Sequence, residues 1–189
     1  MMKRNLRSLI TMSVIAGSLV LTSCGDNKKE KDDASAPMQH EMHQESEDMA
    51  HAEETEKSVT EFKDEESQKL FDAYLAVKNA LVQTDAEAAK SAAAELKSAA
   101  AGNEEIASVA QQMAETADVN KQRELFSELT KSMEPVLKGS ISGGKIYKQY
   151  CPMAFEGKGD YWYSDSDQIR NPYFGDKMLK CGRVEDTIM

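Results

Sequence analysis

Apolar residues recur at helical spacing between residues 67 and 138, and this pattern predicts four amphipathic helices. The first two are expected at about 67–83 and 85–101, and the other two follow Gly102. The apolar stripes are core candidates rather than sites of chemistry. They consist of Leu70, Tyr74, Val77 and Leu81; Ala86, Ala89, Ala93, Leu96 and Ala100; Ile106, Val109, Met113 and Ala117; and Leu125, Phe126, Leu129, Met133 and Val136.

Local signals place the ends of these helices. The segment 84–87, Thr-Asp-Ala-Glu, resembles a capping box, and Gly102 is typical of a helix C-terminus. Asn103 and Asn120 are the expected N-caps of the third and fourth helices, and Pro135 is expected to bend the fourth. Short connections between helices of this length predict a mainly α fold, a four-helix up-and-down bundle.

The helical pattern stops at Gly139, and a small C-terminal module follows. Residues 146–150 and 160–163 have strand-like composition and flank a turn at 156–159, so a hairpin is predicted. Its aromatic side chains are expected to pack this hairpin or irregular module onto the bundle. The folded domain is therefore assigned to residues 67–184, with 185–189 as a tail.

The N-terminus has the order of features found in export signals. Three basic residues precede an apolar run at 9–21 that is short for a membrane span, and the run ends in Leu-Thr-Ser-Cys at 21–24. This end resembles the lipobox of bacterial lipoproteins. The resemblance implies that residues 1–23 are removed and that acyl chains on Cys24 anchor the protein to a membrane of the cell envelope, facing the periplasm or the surface.

Residues 24–66 are predicted to be a disordered acidic tether, because they contain too few apolar residues to form a core. Residues 25–66 carry 15 acidic and five basic side chains, whereas residues 67–189 carry 18 and 15. The acidity belongs mainly to the tether, and the domain lacks the basic surface that nucleic-acid binding requires. No nucleic-acid partner is therefore expected.

Histidine and methionine are interleaved inside the tether. His40, Met42 and His43 lie close together, and His51 is the remaining histidine of the chain. Imidazole and thioether groups are copper ligands, so weak copper capture is predicted, with chance composition as the alternative.

The sharpest chemical signal is the pairing of cysteine with methionine in the C-terminal module. Cys151 is followed by Met153, and Met178 precedes Cys181. Thiolate and thioether ligands favour Cu(I) or Ag(I), with Asp176 as a lesser candidate ligand. The alternative is that Cys151 and Cys181 form a structural disulfide and that both methionines are core residues.

Three strings in this module carry a family resemblance: Tyr-Cys-Pro-Met-Ala at 150–154, Tyr-Trp at 161–162, and the segment 169–182, which contains Asn-Pro-Tyr-Phe-Gly-Asp-Lys-Met-Leu. They resemble a family of exported bacterial domains of unassigned function, found as lipoproteins and as C-terminal extensions of copper and silver efflux adaptors. The resemblance is strongest at 147–184 and looser back to about 67. It implies a heavy-metal context, with efflux adaptor or pump components as partners. The string at 150–153 also resembles a heavy-metal-binding motif of copper transporters, which continues with histidine where this chain has Ala154.

The sequence therefore favours a membrane-tethered lipoprotein that binds copper or silver for buffering, resistance or handover to an efflux system. The alternative is a structural module that docks on an efflux adaptor or another envelope protein. An enzyme is not expected, because the domain shows no nucleophile and base pair and has no histidine.

Overall fold

The computed structural model describes residues 59–100 and 102–189. The predicted signal peptide, Cys24, and His40, Met42 and His43 lie outside these residues. No helix in the described ranges is long and apolar enough to cross a membrane. The helices are α1 (Glu65–Val82), α2 (Ala86–Ala99), α3 (Glu104–Ala114), α4 (Val119–Ser140) and the short α5 (Ala154–Gly157); the strands are β1 (Glu61–Phe62), β2 (Ile141–Gly143), β3 (Ile146–Cys151), β4 (Asp160–Ser164) and β5 (Arg183–Ile188).

The helix starts follow local capping. The side chains of Asp85 and Asn103 accept hydrogen bonds from backbone N–H groups three residues later. Asn103 is the cap that the sequence predicted, whereas a capping box at 84–87 begins at Thr84, one residue before the observed cap. The cap predicted at Asn120 is wrong. Asp118 caps α4 instead, because its carboxylate accepts from the N–H groups of Asn120 and Lys121. Ala117, which was assigned to the third stripe, lies beyond the end of α3 and is exposed.

The fold is mainly helical with a small C-terminal sheet, as predicted. Each of the four long helices contacts the next one, and α1 also contacts α4. The predicted stripes form the buried core, led by Tyr74, Phe126 and Leu96. Pro135 lies exposed within α4, and the helix continues to Ser140. The up-and-down arrangement of the four helices stays a prediction.

The C-terminal module is a three-stranded antiparallel sheet in the order β4-β3-β5. The hairpin of β3 and β4 confirms the prediction from composition. The third strand comprises residues 183–188, so most of the predicted tail at 185–189 belongs to the sheet. This strand forms hydrogen bonds with the edge of β3 that β4 leaves unpaired. A two-stranded sheet of β1 and β2 also uses residues 61–62, which the sequence assigned to the tether.

Buried hydrogen bonds join the sheet to the helices. The hydroxyl of Tyr74 on α1 is bonded to Thr130 on α4 at 2.9 Å and accepts from the backbone N–H of Tyr163 on β4 at 3.1 Å. Ser127 on α4 donates to the carboxylate of Asp160 at the start of β4. Because unpaired buried polar groups are costly, these bonds fix where β4 crosses the helices.

A charged cluster joins α4 to the exposed side of the sheet. Glu134 accepts hydrogen bonds from Lys138 at 2.7 Å, from the hydroxyl of Tyr161 at 3.0 Å and from Lys148 at 3.4 Å. The Lys148 ammonium also lies 3.9 Å from the centre of the Tyr161 ring. The bond from Lys138, followed by those of Tyr161 and Lys148, lowers the pKa of Glu134 from 4.5 to about 2.

Replacement of Glu134 by glutamine should give a pH-dependent loss of stability. A carboxylate with a lowered pKa stabilises the fold above its unfolded pKa, and this contribution is lost as the pH falls through the folded pKa. We expect E134Q to lower the free energy of unfolding by about 1 kcal/mol at pH 7, since solvent screens part of the effect. Urea denaturation should show the difference from wild type shrinking as the pH falls from 4.5 towards about 2. The exposed Glu128→Gln is the control, and an equal loss at both ends of this range would contradict the assignment.

Candidate cysteine site

The sulfur atoms of Cys151 and Cys181 lie 3.3 Å apart as free thiols. Cys151 ends β3 and is completely buried, whereas Cys181 lies just before β5 and is partly exposed. The pairing of Tyr150 with Arg183 explains the proximity, because it sets the end of β3 beside the start of β5. The pair is thus an inner thiol and an outer thiol that touch.

The sheet face that carries Cys151 is covered by the following loop. Side chains alternate along a strand, so Gln149 and Cys151 share one face, and Trp162 lies opposite Gln149 on β4. The fully buried amide of Gln149 donates to the backbone carbonyls of Ser166 and Gln168. These bonds hold the loop after β4 against the sheet face that Gln149 shares with Cys151.

The connection from Cys151 to β4 contains a left-handed turn. Phe155 and Glu156 have φ values of 49° and 60°, a region that residues other than glycine rarely adopt. The ring of Phe155 packs edge-on against Tyr173 with ring centres 5.2 Å apart, and Tyr173 donates to the carbonyl of Tyr161. These contacts hold the strained turn against the segment that leads to Cys181.

Asn171 organises the segment that carries the outer thiol. It is fully buried, and its side chain donates to the carbonyl of Cys181 at 2.8 Å and accepts from the N–H of Tyr173 at 2.8 Å. Its backbone N–H donates to Leu179, and its backbone carbonyl accepts from Gly175. Four hydrogen bonds through one residue therefore fix the backbone around Cys181.

Arg123 connects this segment to the helices. Its guanidinium, on α4, donates to the carbonyl of Pro172 at 3.0 Å and to the hydroxyl of Thr84 at 3.2 Å. Burial lowers the pKa of Arg123, and the nearby carboxylate of Asp176 opposes that shift. Asp176 is itself exposed.

The two methionines predicted as ligands lie at different depths. Met153 is 51% exposed, and Met178 is partly buried. The carbonyl of Met178 accepts from the N–H of Cys181 at 3.0 Å, so both methionines neighbour the cysteine pair through the backbone. Among residues 59–100 and 102–189, no group of three or more histidine, cysteine or acidic side chains converges as a metal site.

The inner thiol influences the ionisation of the outer thiol. The hydrogen bond shared with Cys151 raises the pKa of Cys181 above its ordinary value of 9.0, and burial adds to the rise. The backbone N–H of Met153 acts in the opposite direction, because it donates towards the sulfur of Cys181. A thiolate on the outer cysteine therefore has one backbone donor to stabilise it.

Sequence reasoning missed the roles of Asn171 and Arg123. The Asn-Pro pair at 171–172 indicated only an extended backbone. A single arginine at 123 in a helical segment did not indicate a hydrogen bond to the backbone carbonyl of Pro172, which is distant in sequence. One feature of the sequence could have indicated a role for Arg123: it lies two and three residues before the apolar Leu125 and Phe126, and so near the buried face of the helix.

Removal of the Asn171 side chain should destabilise the cysteine site. We expect Asn171→Ala to lower the free energy of unfolding of the reduced protein by about 2–3 kcal/mol, because two buried hydrogen bonds are lost. Asn171→Asp keeps the acceptor for Tyr173 but not the donor to Cys181, so it tests the second bond separately. Urea denaturation with exposed Asn79→Ala as the control measures the effect. A loss no larger than that of the control would contradict the role given to Asn171.

Comparison with known proteins finds a similarity between the helical part and a domain family. A domain described as "Protein of unknown function (DUF3347)" is found at residues 70–143, from α1 to β2. The match covers the helical part and does not include the module at 147–184, where the resemblance read from the sequence was strongest. No curated protein and no solved structure gives a significant match. Residues 70–143 are thus similar to a domain family whose function is unassigned.

Proposed function

We propose that this protein is a lipid-anchored envelope protein that binds Cu(I) or Ag(I) for buffering, resistance or handover to an efflux system. The observation that carries the proposal is the contact of two free thiols at 3.3 Å, one buried and one partly exposed. Two adjacent thiolates suit soft monovalent metals. The four-helix up-and-down arrangement is proposed as the scaffold for this site.

The ligands available in the described domain are sulfur atoms. All three histidines precede residue 52, outside the described residues, so the domain itself has no imidazole. Cys151 and Cys181 would hold the metal, with Met153 or Met178 as a thioether ligand. Met153 is the more accessible of the two, because about half of its surface is exposed. Asp176 stays the lesser candidate, since its charge faces Arg123.

The separation of the sulfurs allows either a metal or a disulfide. A metal held by two thiolates at about 2.3 Å each requires the sulfurs to lie about 4 Å apart, slightly wider than observed. A disulfide requires about 2.05 Å, clearly closer than observed. Both changes need small side-chain rotations, so the redox state of the compartment would decide between them.

A second candidate function is a structural module that docks on an efflux adaptor or another envelope protein. The same contact of Cys151 with Cys181 favours it, because a disulfide at this point would fasten β3 to the segment before β5. In that case the helices supply the docking surface, and the cysteines add about 2–4 kcal/mol of stability.

Copper competition distinguishes these functions. In the reduced full-length chain carrying Cys24→Ser, we expect one Cu(I) per protein in competition with a chromophoric Cu(I) chelator. Cys151→Ser and Cys181→Ser should each lower the affinity by a factor on the order of 100 or more, because one thiolate is lost. Met153→Leu should have a smaller effect, and His40→Ala with His43→Ala tests the tether separately.

Retention of the domain's copper affinity in both serine variants would reject the metal site. If those variants also lose the stability that wild type gains on oxidation, the docking module becomes the preferred function. Asp167→Asn, at an exposed position on the same loop, provides a control for changes near the sheet.

The lipid anchor is a separate proposal that rests on the sequence at 21–24. Intact mass of the protein purified from membranes should show acyl groups on Cys24 and no residues 1–23. Cys24→Ser should abolish both the acylation and the removal of residues 1–23, and the protein should no longer partition into detergent through its lipid. An unmodified wild-type protein with the same mature N-terminus would contradict the anchor.

A further inference from the structure

We infer that the two cysteines form an asymmetric dithiol, in which Cys181 exchanges with external disulfides and Cys151 resolves the resulting mixed disulfide. The ligand class is a low-molecular-weight disulfide, such as oxidised glutathione. This inference goes beyond metal binding and does not depend on it. It assigns a chemical reaction, with a fixed order of attack, to the candidate site.

The difference in burial sets the order of attack. Cys181 is partly exposed, so a dissolved disulfide can approach its sulfur atom. Cys151 has no exposed surface. An external reagent can reach the inner thiol only after local opening of the structure around it.

The backbone around the outer thiol supports its role as the exchanging group. Asn171 and Met178 hold the carbonyl and the N–H of Cys181, so the sulfur stays beside Cys151. The backbone of the exchanging cysteine is therefore held next to Cys151.

The proposed reaction is balanced in two steps. The thiolate of Cys181 attacks one sulfur of the external disulfide RSSR, a bond forms between Cys181 and that sulfur, and RS⁻ leaves to solvent. The thiolate of Cys151 then attacks the sulfur of Cys181, and the second RS⁻ leaves. The protein loses two protons and two electrons in total, and RSSR is reduced to two thiols.

The contact between the thiols makes the second step fast. The resolving sulfur already lies 3.3 Å from its target, and Cys151 is held in place by the pairing of β3 with β4. The leaving RS⁻ departs on the exposed side, opposite the buried Cys151. A mixed disulfide on Cys181 should therefore be short-lived whenever Cys151 is present.

The test uses the full-length chain carrying Cys24→Ser, reduced and then treated with oxidised glutathione. With both cysteines present, we expect a transient adduct, followed by an internal disulfide and two equivalents of released glutathione. Cys151→Ala should stop at a stable adduct of one glutathione on Cys181. Cys181→Ala should react more slowly by a factor on the order of 100, because its remaining thiol is buried.

Peptide mapping of the parent chain, quenched with acid during the first turnover, tests the order without a cysteine variant. Glutathione found first on Cys181 supports the assignment, and glutathione found first on Cys151 overturns it. Equal reaction rates of the two alanine variants, with unchanged circular dichroism, would also overturn it. A stable adduct in the parent chain, with no internal disulfide, would reject Cys151 as the resolving thiol.

Discussion

The buried amide of Asn171 is the constraint on which the cysteine site depends. Each polar group of this residue has a partner within the segment 171–181, and the side chain is fully shielded from solvent. Other conformations of the segment would leave buried donors or acceptors without partners, at a cost of about 1–3 kcal/mol each. The position of Cys181 thus follows from the hydrogen-bond requirements of Asn171.

Strain on the other side of the site has a compensating contact. Phe155 and Glu156 occupy the left-handed region, although glycine would adopt it more easily. The phenyl ring of Phe155 makes an edge contact with Tyr173, which glycine could not make. Tyr173 is held in turn by Asn171, because its backbone N–H donates to the Asn171 side chain. The loops that carry the two cysteines are therefore joined by an aromatic pair as well as by the thiols.

The chemistry proposed for the site follows from this rigid asymmetry. A thiol that is held still beside a second thiol can bind a soft cation or close to a disulfide, and it cannot do both at once. Oxidation would therefore remove the ligands on which metal binding relies. On the proposed function, the protein would respond to both metal and redox conditions through the same two sulfur atoms.

Local signals were sufficient for most of the helical part. Asp85 and Asn103 cap helices by accepting hydrogen bonds from N–H groups only three residues away. The start of each of these helices is therefore determined by residues close together in the sequence. Asn120 was mistaken for a cap because Asp118, two residues earlier, is an equally good one, and competition between them depends on the backbone that each adopts. The apolar stripes likewise predicted the core, since the helical period alone brings their residues to one face.

Long-range packing decided the rest. The sequence placed thiols and thioethers in one module, but contact between Cys151 and Cys181 spans 30 residues and requires β5 to pair with β3. Residues 183–188 are too polar to indicate a strand by themselves, and they become one because β3 offers an unpaired edge. The bonds of Arg123 to Pro172 and of Asn171 to Cys181 join residues without any shared local pattern. Such contacts depend on where the chain returns in space, which periodicity and capping do not encode.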